Sequence, residues 1–596
     1  HRDLHSFPTR RSSDLFEPTK IFLKYAVFDP LEGEPAVPAP LRAGPESRLW
    51  IVQFDQAPTD GLRRAVAEAG GDLTWYQPEY AYIVRMAPQA AERVRHLDGV
   101  RWVGAFHPAY RLEAFLLAEL AAGVDAPARK YNIVVVDRAG DKPALGAAIR
   151  GLGGEVTHAQ PGSILFEVRL DQALLLAAAR LDQVLWIDRW SPPEEDMNNA
   201  RIQGGGNYVE SVGGYTGKGV NGHIYEGLDI AHTDFTIRPT NVLSAGGADT
   251  HGHCTAGIVF GNGTSHPDAR GMAPDAKPFF TQYSTVTSGY SRYQVIGELV
   301  TKHDVMFTTA SWGGTQVTTY TSTSADTDTI IFDHDIPWTN SQSNTGSTLS
   351  RPEAWAKNIF SIGGVVHRDN ANRKDDSWAA GGGSTGPAAD GRIKPDLCAY
   401  YDAILCSDRT GTAGYATGNY YTGFGGTSGA TPICAGHNAL ALQMFTDHIF
   451  NNSPKVPGGT RFQNRPHFTT LKALMIANAR QYAFNASSTD NRREHQGWGF
   501  PDLKTMHANR TRMFLVDETD VLAQGNKKSY PITVQAGDPE LKIVLTFADP
   551  AAAPNATITR INDLDLKVTA PDNTVYWGNY GLTSGNYSLP GGARDS

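Results

Sequence analysis

The stretch Gly425-Gly426-Thr427-Ser428-Gly429-Ala430-Thr431-Pro432, followed by ICAGHNALALQMF over 433–445, decides how the rest of the sequence is read. Small residues on both sides of Ser428 leave room for another backbone to come close. The apolar run after it predicts a buried helix with Ser428 at its N-terminus. There the unpaired amides and the helix dipole favour developing negative charge. A serine N-cap in a glycine-rich turn is the plain structural alternative. From about 214 to 505, apolar runs alternate with helical stretches and Gly-rich loops. That alternation predicts an α/β domain built on a doubly wound, mostly parallel sheet.

A serine hydroxyl is a weak nucleophile and needs an adjacent base, for which imidazole is the usual choice. The segment Asp249-Thr250-His251-Gly252-His253-Cys254-Thr255-Ala256-Gly257 supplies two histidines. A third group, a carboxylate, must orient the imidazole. Gly217-Lys218-Gly219-Val220-Asn221-Gly222-His223-Ile224-Tyr225-Glu226-Gly227-Leu228-Asp229 offers Glu226 and, as the alternative, Asp229.

GTSGATP resembles the nucleophile signature of the subtilisin-like serine proteases (the subtilases), with Gly429 where that family usually has Met. The resemblance implies roles residue by residue. Ser428 is the nucleophile. His251 takes the first position of the family's H-G-T-H-x-A-G phrase, with His253 and Cys254 replacing its Thr and second His; His253 is expected to be a packing residue. Glu226 falls in the slot of the family's aspartate. Asn344, within 339–346 (TNSQSNTG), is the expected oxyanion donor, with Asn340 as the alternative. Ser311, Trp312 and Gly313 resemble the substrate-binding S-W-G strand, and 390–396 (DGRIKPD) resembles a stretch of structural loops. Acid, base and nucleophile follow in the order 226, 251, 428, which is the subtilisin order and not that of chymotrypsin-like or α/β-hydrolase enzymes. The likeness covers roughly 198–505.

The flanks differ in texture. Residues 49–190 carry an internal repeat. The buried-strand runs LWIVQFD (49–55) and YNIVVVD (131–137) are each followed by a helical stretch that stops at paired glycines, 70–71 and 153–154. Further strands follow at Tyr80–Met86 and Ser163–Leu170, and the copies close on HLDGVRWV (96–103) and RLDQVLWI (180–187). From Gly70 to Gly153 is 83 residues and from His96 to Arg180 is 84, so two β-α-β-β-α-β units are predicted, 45–113 and 128–195. They are read as ferredoxin-like α+β units standing where the family carries a propeptide, which implies an intramolecular inhibitor and self-cleavage near Met197-Asn198-Asn199-Ala200. A permanent accessory domain is the alternative. The exposed linker is 188–200, and the catalytic domain is predicted over 198–510.

Residues 1–15 (HRDLHSFPTRRSSDL) are basic, lack an apolar core and read as a non-native leader, with the natural N-terminus expected upstream. Over 511–596, alternating runs at Tyr530–Gln535, Leu541–Phe547 and Leu564–Thr569 predict an incomplete all-β sandwich. The phrase Asn562-Asp563-Leu564-Asp565-Leu566 with Ala570-Pro571-Asp572 resembles the C-terminal module of alkaline subtilases, which implies structural calcium. Of the four cysteines, Cys398 and Cys406 are spaced to allow a disulfide, and Cys254 and Cys434 are expected as buried thiols.

With 40% hydrophobic residues and 19% charged ones the chain can build cores. Its net charge of −9 gives no reason to expect nucleic acid as a partner. No apolar run reaches the roughly 18 residues of a membrane helix. The expectation is a secreted, monomeric serine endopeptidase acting on proteins or peptides, made as a self-processed zymogen. A catalytically impaired relative and a binding protein are the alternatives.

Overall fold

In a computed structural model the described residues are 19–592, apart from Glu79, 124–126, 191–193, 196–202, 369–372, 374–375, 379–381, 483–492 and 583–584. The leader 1–15 and the stretch Met197–Ala200 lie outside the described residues.

Two small units come first. In the first, β1 (Leu49–Phe54), α1 (Asp60–Glu68), β2 (Asp72–Gln77), β3 (Ala81–Arg85), α2 (Pro88–Arg95) and β4 (Val100–Ala105) build an antiparallel sheet in the order β2-β3-β1-β4. The second repeats it with β5 (Arg129–Val135), α3 (Asp141–Gly151), β6 (Glu155–His158), β7 (Leu165–Leu170), α4 (Gln172–Ala179) and β8 (Val184–Arg189), in the order β8-β5-β7-β6. Each sheet buries one face under its two helices, around Val52, Phe54, Val66 and Val94 in one and Ile133, Val135, Leu145 and Ile149 in the other.

A two-residue strand, β9 (Glu194–Glu195), leads into the larger domain. Its seven-stranded sheet runs in the order β11-β12-β10-β13-β15-β16-β17, formed by β10 (Asn221–Ile224), β11 (Thr240–Asn241), β12 (Lys277–Phe280), β13 (Phe307–Ala310), β15 (Trp338–Ser341), β16 (Phe360–Val365) and β17 (Leu397–Tyr400). Every pairing in it is parallel. Parallel strands need helices on both faces, so their sequences read as near-continuous apolar runs. One face is covered by α5 (Thr250–Phe260) and α8 (Thr427–Thr446), whose residues pack with β10, β13, β16 and β17 in one large core. The other carries α6 (Arg292–His303) and α7 (Ser322–His334). All twenty residues of α8 are buried, which a helix apolar on every side requires. An antiparallel hairpin, β18 (Ile404–Gly411) and β19 (Gly418–Phe424), leads directly into α8.

The second small unit docks on α6 and α7. Asp188, buried at the end of β8, accepts from the Ser322 amide at 3.0 Å and the Ser322 hydroxyl at 2.6 Å, supplying acceptors to the N-terminus of α7 from another unit. Burial pushes its carboxyl up, against the hydrogen bonds from Ser322 and Asn132 that pull it down. Ser163 bonds to Asp326, Arg138 pairs with Asp333 at 2.7 Å and Ser291 donates to the Pro161 carbonyl at 2.6 Å.

The C-terminal expectation is corrected. Tyr530–Gln535 and Leu541–Phe547 are not strands, and only β20 (Lys567–Thr569) of the third run pairs, with β21 (Val575–Trp577). A strand exists only where a neighbour completes its ladder, and these runs lie largely exposed without one. What orders this part is contact with the rest of the chain: Lys357 Nζ donates to Asp549 Oδ2 at 2.5 Å, Gln77 donates to Asn555 at 3.1 Å, and Ala552, Ala553 and Ile561 are buried beside Tyr320. The disulfide reading is corrected too. Cys254, Cys398, Cys406 and Cys434 are all buried free thiols. The thiol next to Cys406 is Cys254, from α5, and burial raises its pKa well above the usual range.

DGRIKPD has a structural role. Asp396 Oδ2 meets Lys394 Nζ at 2.7 Å and its Oδ1 meets Lys472 Nζ at 2.9 Å, all three buried. Burial alone would push the Asp396 carboxyl up; the two ammonium groups outweigh it and hold it at about 2. Two predictions follow from the triad. Lys394→Met strips a buried carboxylate of a partner and should cost about 3–5 kcal/mol, read from urea unfolding. Because the folded pKa lies below the unfolded value of about 4, the Asp396 contribution is complete above pH ~4 and is lost as pH falls towards 2. Acid titration of stability should therefore be shallower over that window in a Lys394→Met, Asp396→Leu double variant.

Candidate active site

Glu226 sits two residues beyond the end of β10, with its side chain close against Gly252 of α5. Its carboxylate is 1% exposed. Oε1 accepts from the Ser311 amide at 2.9 Å, and Oε2 lies 2.5 Å from His251 Nδ1. A buried carboxylate in this place requires such partners. The Nδ1 contact leaves Nε2 as the ring nitrogen to exchange protons, the tautomer a general base needs. Gly252, next to the histidine, allows the approach: a Cβ there would run into the Gly227 carbonyl and the Glu226 side chain.

His251 is the second residue of α5. Asp249 caps that helix, its Oδ1 accepting from the His251 amide at 3.1 Å. Donor atoms of Glu226, Asp249 and His251 all lie within 4.8 Å of one another.

Ser428 is the second residue of α8. Gly426 before it has φ 100°, a backbone state that favours glycine, and this sharp entry sets the serine at the helix start. Ser311 and Ser428 are joined by reciprocal bonds. The Ser428 hydroxyl donates to the Ser311 carbonyl at 2.8 Å, and the Ser311 hydroxyl donates to the Ser428 carbonyl at 2.8 Å. The second bond has a local cause. Pro432, four residues on, has no N–H, so the Ser428 carbonyl lacks its helical donor and Ser311 supplies one. Ser311 thus touches Glu226 through its amide and Ser428 through its side chain and carbonyl.

Asn344 lies beside the same helix start. Its Oδ1 accepts from the Thr427 amide at 2.7 Å and the Thr427 hydroxyl at 3.1 Å, which fixes the amide so that Nδ2 points the other way. Asn340 is differently placed: fully buried, it donates to the carbonyls of Trp312 and Ser341 at 3.2 Å. Asp229 does not meet the imidazole of His251; its carboxylate accepts from the Ala231 amide at 3.0 Å, and its amide donates to His253 Nδ1 at 3.2 Å. His253 packs against His232, ring centroids 4.7 Å apart, and burial lowers its pKa well below the usual range. Trp312 is mostly core, with Nε1 donating to the Tyr225 carbonyl at 2.5 Å and its ring 4.5 Å from that of Tyr283. Trp312–Gly313 nonetheless forms a short strand, β14, antiparallel to β9.

Sequence reasoning missed Asp249 and the bridging role of Ser311. Each had a signal: an aspartate directly before a helix reads as an N-cap, and a proline four residues after Ser428 leaves a carbonyl to be satisfied. The calcium expectation concerns donors that include backbone carbonyls; among His, Cys, Asp and Glu side chains the described residues bring together one group of three. Glu226, Asp249 and His251 form the one close group found there, and it is held by the imidazole hydrogen bond and a helix cap, not built as an all-oxygen cage. Asp563, in the expected calcium phrase, pairs with Arg560 at 2.9 Å.

Residues 236–499 match the Subtilase family profile, and residues 22–107 match a domain of unknown function (DUF8729). Among curated proteins, the serine protease/ABC transporter B family protein tagA of Dictyostelium discoideum is 30% identical over 216 residues, covering 33% of this chain and 12% of that protein. Serine protease AprX of Bacillus subtilis (strain 168) is 36% identical over 97 residues, covering 14% of this chain and 20% of AprX. The chain therefore spans a fifth or less of the length of these relatives. Among solved structures, the prenylagaramide maturation protease PagA aligns with 51% of this chain and 98% of its own at 18% identity and a TM-score of 0.38. With the family match and the parallel sheet together, the chain carries a subtilase-like serine-type peptidase domain.

Proposed function

We propose that this chain is the zymogen of a secreted serine endopeptidase, with Ser428 as nucleophile, His251 as general base, Glu226 as the acid that orients it and Asn344 as oxyanion donor. The observation that carries the reading is the continuous path from Glu226 through Ser311 to Ser428, with His251 Nδ1 held 2.5 Å from the same carboxylate. In the reaction the Ser428 hydroxyl turns from the Ser311 carbonyl to His251 Nε2 and gives up its proton as Oγ attacks the scissile carbonyl carbon. The tetrahedral oxyanion is met by Asn344 Nδ2 and the amides at the start of α8, where the helix dipole adds to their effect. Glu226 stabilises the imidazolium. His251 then protonates the leaving amine, the C–N bond breaks, and a water molecule repeats the cycle on the acyl-enzyme.

The two β-α-β-β-α-β units serve in this reading as a tandem ferredoxin-like prodomain. Support comes from the second unit's docking on α6 and α7, and from β9, whose Glu194–Glu195 pair with the edge of Trp312–Gly313. A peptide that adds a strand to this edge gains main-chain hydrogen bonds. Ser428 has no exposed surface and His251 only 2%, so in this reading the chain around them moves before a substrate reaches them. Trp312 acts as floor and edge of the cleft more than as a pocket. Among the described residues no helix is long and apolar enough to cross a membrane.

Mass spectrometry of the purified protein and of Ser428→Ala tests the whole reading: loss of an N-terminal fragment ending in the 188–200 linker is expected only with the serine intact. Cleavage at the same place in Ser428→Ala would assign it to another protease. In the processed enzyme, Glu226→Gln should lower kcat on the order of 10⁴-fold, because the amide holds the wrong imidazole tautomer. Asn344→Ala should lower kcat by about 10²–10³-fold with KM little changed, which kinetics on a casein-derived peptide would read.

A further inference from the structure

We infer that the two small units are not released when the linker is cut, and that the segment 549–561 is the clamp that keeps them on the working enzyme. The inference rests on the peptidase reading for the cut itself and changes what the units do after it. They stay as a second, non-covalently bound chain, and only β9 leaves the edge of Trp312–Gly313.

The first ground is the second face of each small sheet. An antiparallel sheet with helices on one side commonly turns a polar face to water on the other. Here the alternate positions are apolar as well. In β1, Val52 and Phe54 belong to the core under the unit's own helices, while Leu49 and Ile51 point the other way; Val84 and Ile83 of β3 divide likewise. In the second unit, Ile133 and Val135 belong to its own core, and Val134 and Leu185 do not. Leu49, Ile51, Ile83, Val134 and Leu185 have no exposed surface, because they share one core with Tyr320 of the larger domain and with Ala552 and Ile561. Release would open that core to water on every part at once, an apolar patch of the kind that soluble chains rarely expose.

The second ground is how 549–561 is fastened. At its start it is tied to the larger domain. The Asn358 side chain donates to the Asp549 carbonyl at 2.8 Å and accepts from the Asp549 amide at 3.1 Å, and the Asp549 carboxylate accepts from Lys357 Nζ at 2.5 Å. The same carboxylate accepts from the Ile561 amide at 2.9 Å, which folds the segment into a loop. In the middle of that loop, fully buried Asn555 is plugged into the first unit. Its Oδ1 accepts from Gln77 Nε2 at 3.1 Å, its Nδ2 donates to the Tyr110 carbonyl at 3.5 Å, and its carbonyl accepts from the Lys24 amide at 2.6 Å. Lys24 Nζ in turn donates to the Tyr320 carbonyl at 2.5 Å. Buried polar groups need such partners, so each of these bonds holds the parts in one arrangement.

The strand on the cleft edge is held differently. β9 rests on a two-residue ladder, Glu194 to Gly313 and Glu195 to Trp312. None of the bonds that fasten 549–561 passes through it. The second unit adds bonds of its own, Asp188 to Ser322 and Arg138 to Asp333. Neither the shared core nor the clamp uses Ser428 or His251, so the units can stay in place while the site opens. A cut in the linker therefore frees β9 and leaves the clamp whole.

The test uses the full-length protein. A recognition site for an added protease, placed in the 188–200 linker of Ser428→Ala, lets the cut be made without the chain's own activity. After that cut both fragments should run together on native gel filtration, at the volume of the uncut chain, and separate only under denaturing conditions. In self-processed wild type, the fractions that cleave a casein-derived peptide should contain both fragments in equal amounts. Asn555→Leu takes away the acceptor of Gln77 Nε2 and should speed release of the N-terminal fragment in moderate urea by about 10-fold or more. Ile561→Ala, which removes apolar contact instead, should do the same. Both variants are compared in protein that elutes as uncut wild type before the cut. Separation of the fragments in native buffer, peptide cleavage confined to fractions without the N-terminal fragment, or unchanged release in both variants would overturn the inference while leaving the peptidase reading intact. A wild type that neither cuts itself nor cleaves the peptide would overturn both.

Discussion

The buried carboxylate of Glu226 is the constraint on which this architecture turns. With 1% of its surface exposed it can persist only if its oxygens are satisfied. One oxygen takes the Ser311 amide from the end of β13, and the other meets His251 at the start of α5. Moving either element leaves a charge unpaired in a dry environment, which costs several kcal/mol. The parallel sheet serves this need: β10 and β13 are adjacent, so the residues just past their ends stand side by side. Glycine at 252 then lets the helix come close enough for the imidazole to reach.

Pro432 extends the same logic to Ser428. By lacking a donor it frees one carbonyl in the first turn of α8, and that carbonyl recruits the Ser311 hydroxyl. A residue that reads as a helix irregularity is thereby what binds the start of the helix to the strand edge. The hydrogen bond from Ser428 to the Ser311 carbonyl satisfies the buried hydroxyl. Docking of the second small unit through Asp188 and Ser163 uses the far side of the sheet, on α6 and α7. That docking and the contacts around Ser428 therefore use separate sets of residues.

Much of this was legible in the chain because the signals are local. Apolar runs alternating with helical stretches mark an α/β sheet. Glycines at 70 and 153, at φ 97° and 95°, mark the ends of helices in two successive repeats. Small residues around Ser428 and the H-G-H phrase at 251 single out the candidate nucleophile and base by type and order. Where two neighbours offered the same chemistry, the chain alone could rank them only by resemblance. Glu226 and Asp229 are both carboxylates past one strand, and Asn340 and Asn344 are both amides at or just past the end of another.

The sequence by itself determined the element types, their repeats and the order of the reactive groups, because propensity, periodicity and glycine geometry act over a few residues. Only the tertiary structure decided which carboxylate faces the imidazole, which amide is consumed by carbonyls and which cysteines are neighbours. It also decided that 530–535 and 541–547 are not strands, although their composition suits them. Each of these outcomes depends on what lies across space, an edge to pair with or a donor from 85 residues away such as Ser311 for Glu226. Such partners are set by how sheets and helices close on each other, and no local pattern contains that information.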